Sequence, residues 1–96
     1  MPALPPGLRE YKRTATFTRD NVPAGLLRDH DTKAGVWALI VIESGSLEYT
    51  MEEPVRTFVL TPEVPGVIPP VLRHRVKLLG PVRFHVEFLS ASAMAS

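Results

Sequence analysis

The chain has 96 residues, 45% of them hydrophobic, with a formal net charge of +1 and no cysteine. This length and composition suit one globular domain with a single core, and the scattering of basic residues among acidic ones argues against a nucleic-acid partner. The absence of cysteine excludes disulfides, thiolate zinc sites and cysteine nucleophiles.

The N-terminal segment, residues 1–9, is rich in proline and is predicted to run extended over the surface. It lacks the basic stretch and the continuous apolar stretch of a secretory signal peptide. The longest apolar run, residues 36–42, is far shorter than the roughly twenty residues that span a bilayer. We therefore expect a cytoplasmic protein that has no contact with membranes.

The body of the domain, residues 10–90, is predicted to be all-β. Ten prolines and six glycines, placed mostly between short apolar runs, interrupt any helical period. The predicted strands cover residues 9–19 (an edge strand), 26–30, 36–42, 47–51, 55–60, 72–79 and 82–89. A turn at 43–46 is expected to close a hairpin, 61–70 to be loop with room for a short extended piece, 80–81 a tight turn and 91–96 a flexible tail. This number and spacing of strands indicate a β-sandwich or a barrel.

His74 is predicted to point inward from its strand. The apolar residues at positions 72, 76 and 78 share its face, and the basic residues at 73, 75 and 77 share the other. Two interpretations fit such a histidine. It is either a metal ligand or a core imidazole that is satisfied by a backbone carbonyl.

His85 and Glu87 share one face of the last strand, and Phe84, Val86 and Phe88 share the other. In a sandwich the polar face would be solvated. In a barrel it would line the lumen, while the aromatic face would pack against a second sheet or subunit. Burial of Glu87 would then require a metal or another cation beside it.

His30 lies in a dense polar segment, which is typical of a surface loop, and gains weight only in combination with the other two histidines. Imidazole and carboxylate at three or four positions suit a divalent transition metal (zinc, iron, nickel or manganese) and leave positions open for water or a ligand. We therefore predict a metal centre formed by His30, His74, His85 and Glu87. Lys33 and Arg83 could hold an anion near it, although two solvated charges are the alternative.

Four segments occur in order along the chain: PAGLLRDHDTKAGVW (23–37), ESGSL (43–47), IPPVLRHRV (68–76) and GPVRFHVEF (80–88). Together they resemble the TehB/YeaR-like cupins, a family named for tellurite resistance. The resemblance implies a single small cupin, that is, a double-stranded β-helix or jelly-roll barrel with a metal pocket, often as a homodimer. His30 and His74 would match the histidines of the first and second cupin motifs. Because Thr32 stands where the first motif commonly has a second histidine, Glu87 or His85 would complete the ligand set.

By resemblance, the function is that of a metal-binding domain related to tellurite or chemical-stress resistance, which binds a small oxyanion or polar metabolite. The metal would polarise a ligand oxygen or lower the pKa of a bound water. Two alternatives stay open: a metal-dependent enzyme of the dioxygenase or isomerase kind, and a metal-free dimeric binding module with structural histidines. Catalysis is left undecided, because cupins include enzymes, binders and sensors.

Overall fold

The computed structural model describes residues 1–27, 30–52 and 54–91, and for residues 30 and 31 it describes the backbone alone. Arg28 and Asp29 of the polar segment, and the predicted tail beyond residue 91, lie outside the described residues. The strands are β1 (Arg9–Arg13), β2 (His30–Asp31), β3 (Trp37–Ser44), β4 (Leu47–Met51), β5 (Arg56–Leu60), β6 (Gly66–Ile68), β7 (Arg73–Leu78) and β8 (Arg83–Ser90). A 3-10 helix covers Ala24–Leu27, and no helix in the described ranges has the length and apolar character to cross a membrane.

The strands form two four-stranded sheets, in which all neighbouring strands are antiparallel. Sheet A has the order β1-β8-β3-β6, and sheet B has the order β2-β7-β4-β5. The prediction of an all-β domain is confirmed. Each sheet keeps two edge strands, so the described strands do not close into the predicted single barrel.

Two turns carry the chain from one sheet to the other at the same corner of the molecule. The first joins β3 to β4, and the second joins β7 to β8. The backbone N–H of Leu79 in the second turn donates to the carbonyl of Ser46 in the first, at 3.4 Å. The predicted hairpin between β3 and β4 is therefore wrong, because β4 pairs with β5 and β7 in sheet B.

The core lies between the inward faces of the two sheets. Alternate residues of β3, β7 and the first half of β8 are buried in it, as expected for strands that bury one face. Its fully buried side chains include Ile40 and Phe84 from sheet A and Leu47, Tyr49 and Leu60 from sheet B. The phenol of Tyr49 donates a hydrogen bond of 3.0 Å to the carbonyl of Val67 in β6 and so joins the sheets directly. Burial raises the pKa of Tyr49, which keeps this donor protonated.

Three predicted segments differ from the observed ones. β1 lies at the edge of sheet A, as predicted, but it ends at Arg13. Residues 26 and 27 of the strand predicted at 26–30 belong to the 3-10 helix, residues 28 and 29 lie outside the described residues, and β2 contains only His30 and Asp31. The predicted loop at 61–70 contains the buried strand β6, which has a proline directly before it and another directly after it. Because proline is typical of loops and strand ends, a three-residue strand between two prolines shows no periodicity by which the sequence would predict it.

Candidate ligand pocket and outer cluster

A cavity of about 360 Å³ lies between the sheets. Its wall is formed by β3, β7 and β8, by the chain segment from Tyr11 to Phe17 and by the 3-10 helix. Most of the lining side chains are apolar, and they include Val36, Ile40, Ile68, Val76, Phe84 and Phe88. The polar lining groups are Tyr11, Lys12, Thr14, Thr32, Lys33 and His74. An apolar wall with few polar groups is typical of a site for small molecules.

His74 is the buried imidazole of this wall. It is only 2% exposed, so the prediction that it points inward is confirmed. Its Nδ1 donates a hydrogen bond of 2.9 Å to the carbonyl of Leu72. Since a carbonyl can only accept, Nδ1 carries a proton, and in the neutral form of the ring Nε2 would be the acceptor nitrogen. This arrangement is common to metal-binding histidines and to core histidines satisfied by the backbone.

The backbone register places His30 directly opposite His74 in the antiparallel pair of β2 and β7. The two histidines are 44 positions apart in the sequence, and the sheet makes them neighbours. The side chain of His30 lies outside the description, so the register is the observation that relates the two residues.

His85 and Glu87 point away from the cavity, because they alternate along β8 with Phe84 and Val86, which line it. On the outer face of sheet A, the Nδ1 of His85 lies 2.9 Å from Oε2 of Glu43, and its Nε2 lies 2.9 Å from Oε2 of Glu87. Ionised carboxylates only accept, so the ring donates to both of them when it carries a proton on each nitrogen, that is, as an imidazolium. A metal could bind such a ring only after it lost a proton.

Two residues of the segment from Tyr11 to Phe17 extend this group. Arg13 lies 3.5 Å from the carboxylate of Glu87, and the hydroxyl of Thr16 donates to Glu43 at 2.8 Å. The His85 cluster therefore consists of Arg13, Thr16, Glu43, His85 and Glu87. It fastens one wall of the cavity to β3 and β8 from the outside.

The charges of the His85 cluster shift the pKa values of its members in opposite directions. Burial alone lowers the pKa of His85, but the hydrogen bonds to Glu87 and Glu43 offset it, and the pKa is raised from 6.5. The pKa of Glu43 is lowered from 4.5, first by the hydrogen bond with His85 and then by that from Thr16. Both shifts favour the charged pair.

The four predicted metal ligands thus lie in two places. His74 lines the cavity, His30 is opposite it in register, and His85 and Glu87 are on the outer face of sheet A. In the described part of the chain, no group of three or more His, Cys, Asp or Glu residues is arranged to hold a metal ion.

Sequence reasoning did not identify Glu43, which follows the apolar run of β3 and has the appearance of a turn residue. It also did not identify Lys12 as a lining residue. A register shift between Glu10 and Lys12 changes the face on which the side chains of β1 lie, and no local pattern signals such a β-bulge.

Residues 12–86 match the TehB-like domain. The chain belongs to the TehB-like family. The resemblance found in the sequence is therefore confirmed at the level of the family. No curated protein sequence matches the chain.

The solved structures that resemble this TehB-like domain include the following two. A crystal structure of an Escherichia coli K12 protein is 20% identical with a TM-score of 0.86, and the match covers 95% of this chain and 98% of that one. TehB from Haemophilus influenzae is 24% identical with a TM-score of 0.81, over 93% of this chain but 35% of that protein. At these identities the likeness concerns the fold alone.

Proposed function

We propose that this TehB-like domain is a binding module that holds a small ligand in the cavity between its sheets, with His74 as the polar anchor. The observation that carries the proposal is one buried imidazole on an otherwise largely apolar wall. Such a wall provides binding energy through burial of apolar surface, and a small number of polar groups orients the ligand.

The anchor acts through a divalent transition metal (zinc, iron, nickel or manganese) held by His74 and His30. The Nδ1 hydrogen bond of His74 supports this, because it fixes the tautomer that presents Nε2 to a metal. The register of β2 and β7 supports the pairing, since directly opposed residues of antiparallel strands have Cβ atoms about 4.5–5.5 Å apart. Of the predicted ligands whose side chains are described, His74 is the one that lines the cavity. The fit of a metal there therefore depends on the side chain of His30. When bound, the metal would supply open coordination positions for an oxyanion.

The biological setting is tellurite or related chemical-stress resistance. Membership of the TehB-like family and the likeness to one part of TehB support this setting. The chain corresponds to about a third of that protein. The function proposed for this domain is therefore ligand binding, and it does not include the chemistry of the longer protein.

Metal analysis of protein purified without a His-tag tests the proposal. We expect near-stoichiometric metal in the wild type and in His85→Gln, and a clear loss in His74→Gln, because His74 lines the cavity and His85 lies outside it. Circular dichroism would verify that both variants fold. Substoichiometric metal that does not fall further in His74→Gln would contradict the metal centre, as would equal loss in both variants.

A metal-free dimeric binding module is the second candidate. The hydrogen bond from His74 to the carbonyl of Leu72 favours it, because it satisfies one nitrogen of a buried ring without a metal. In that case a chelator would leave the melting temperature unchanged, whereas removal of a metal bound only by the folded state would lower it. The metal-dependent enzyme stays a prediction, to be tested by turnover of a metabolite panel with Fe(II) and oxygen.

We also propose a jelly roll of the cupin kind. In sheet A the first strand lies beside the last and the third beside the sixth, and in sheet B the second lies beside the seventh and the fourth beside the fifth. This order of two interlocked Greek keys supports the proposal, because double-sheet jelly rolls have it. An experimental structure with another strand order would contradict it.

The domain is further proposed to be a cytoplasmic homodimer. The aromatic face of β8 is not available for the contact, since Phe84 and Val86 are buried between the sheets. The half-buried side chains of Trp37, Leu39 and Val41 on the outer face of β3 support a contact with a second copy there. Light scattering would give the mass of a monomer if this proposal were wrong.

A further inference from the structure

The class of ligand can be inferred from the charges and hydrogen bonds of the cavity wall. Among the described lining residues, Lys12 and Lys33 are basic, His74 is titratable and none is acidic. Both lysines are exposed, which places their charges at the rim of the cavity. The described chain shows no ion pair of Lys12 or Lys33 with a carboxylate.

Lys12 is held close to the cavity by a lining ring. Its Nζ lies 5.9 Å from the centroid of Phe88, over the face of the ring. A cation at this distance is attracted by the ring quadrupole. The contact keeps a positive charge beside the apolar wall, where a ligand anion would meet it.

The two threonine hydroxyls of the wall are already used by the protein. Thr14 donates to the carbonyl of Ala15 and accepts from the N–H of Val86, and Thr32 donates to the carbonyl of Pro69 at 2.8 Å. A ligand with many hydroxyl groups would find few partners there, and unpaired buried polar groups are costly. An apolar ligand body, in contrast, would contact the rings of Phe17, Phe84 and Phe88.

From these observations we infer that the ligand is a small amphipathic monoanion, a carboxylic acid whose apolar body fills the cavity and whose carboxylate lies near Lys12 and Lys33. This inference rests on the proposed function, because it assigns the ligand class of the same cavity. The sequence suggested a small oxyanion or a polar metabolite as the ligand, and the inference replaces this broad class by a carboxylic acid with an apolar body. It does not require the metal.

Isothermal titration with matched probes tests the inference. Octanoate has the apolar body and the charge, octanol has the body alone, octylammonium has the opposite charge, and tellurite has negative charge without the body. We expect octanoate to bind more tightly than the other three, with and without a chelator. Octanol binding as tightly as octanoate would overturn the role of charge, and tellurite binding in place of octanoate would overturn the apolar body.

Variants locate the two parts of the site. We expect the double variant Lys12→Gln/Lys33→Gln to weaken octanoate about three- to tenfold, as exposed charge pairs contribute modestly, with octanol unaffected. Lys77→Gln, in sheet B and outside this cavity, is the matched control and should bind as the wild type does. Val36→Phe, on the half-buried wall, should weaken octanoate and octanol together. An unchanged octanoate affinity in the double lysine variant would overturn the inference.

The two proposals fail in different ways. A protein that contains no metal but binds octanoate contradicts the metal centre and leaves the monoanion inference standing. If octanol and octanoate bind equally, the proposal that the cavity binds a ligand stands, and the inference that the ligand is an anion is overturned. If none of the four probes binds, both the cavity proposal and the inference are overturned.

Discussion

Gly35 and Gly45 have nearly the same backbone conformation in different surroundings. Their φ angles are +75° and +81°, in the left-handed region that residues with a Cβ rarely adopt. A Cβ at Gly35 would meet no atom within 4 Å, whereas a Cβ at Gly45 would collide with the carbonyl oxygen of Pro81. Gly45 is therefore required both by its conformation and by the close approach of the two turns at the corner between the sheets.

The pair gives a matched prediction for stability. Gly35→Ala should lower the free energy of unfolding by about 1–2 kcal/mol, the cost of the left-handed conformation. Gly45→Ala should lower it by roughly 3 kcal/mol or more, because the turns must also separate. Urea denaturation of both variants measures the difference. Equal losses would mean that the corner admits a methyl group without cost.

The orientation of His74 could be predicted from the sequence, and that of His85 could not. His74 lies between apolar residues on one face and basic residues on the other, so only one orientation buries the apolar side. On β8, two orientations were possible for an isolated strand. The packing of Phe84 against Phe17, with ring centroids 5.6 Å apart, selects the one in which His85 faces outward. That partner comes from a distant part of the chain.

At the level of elements, the strands β3, β7 and β8 were predictable, and their pairing was not. Their periodicity is local, but the choice of partner depends on where each strand lies in the sheets. The short turn between β3 and β4 suits a hairpin, yet it carries the chain to the other sheet because β6 and β8 already occupy both edges of β3. A turn sequence alone does not encode that competition.

The His85 cluster joins β3, β8 and the segment after β1, and it should make stability depend on pH. The raised pKa of His85 contributes stability that is complete below its ordinary value of 6.5 and is lost as pH rises through the raised value. The lowered pKa of Glu43 contributes stability above its ordinary value of 4.5, lost as pH falls through the lowered value. The cluster therefore stabilises the fold most between pH 4.5 and 6.5.

The variant His85→Gln tests this dependence, because glutamine cannot become cationic. We expect its urea midpoint to fall below that of the wild type at about pH 5.5 and to approach it at about pH 8.5. Lys77→Gln, far from the cluster, should show no such convergence. A constant difference between His85→Gln and the wild type across this range would indicate packing rather than charge.

In the molecule as a whole, Tyr49 connects the two sheets through its bond to the carbonyl of Val67. Tyr49→Phe keeps the ring and removes the donor, which leaves that carbonyl without this partner. We expect the free energy of unfolding to fall by about 1–2 kcal/mol, measured by urea denaturation. Tyr11→Phe, at a half-exposed ring, should change it by less than about 0.5 kcal/mol. Similar small effects in both variants would show that this hydrogen bond contributes little to joining the sheets.

The segment from Tyr11 to Phe17 has the cavity on one side and Arg13 and Thr16 reaching carboxylates on the other. A change outside the molecule, such as acid, salt or a surface contact that draws Arg13 or Thr16 away, would loosen this segment. The segment is part of the cavity wall that a bound ligand would contact. Exchange of that ligand with solvent would then accelerate while every group that touches it stayed intact. For the proposed ligand, the residence time in the cavity would in this way depend on contacts at the exterior surface.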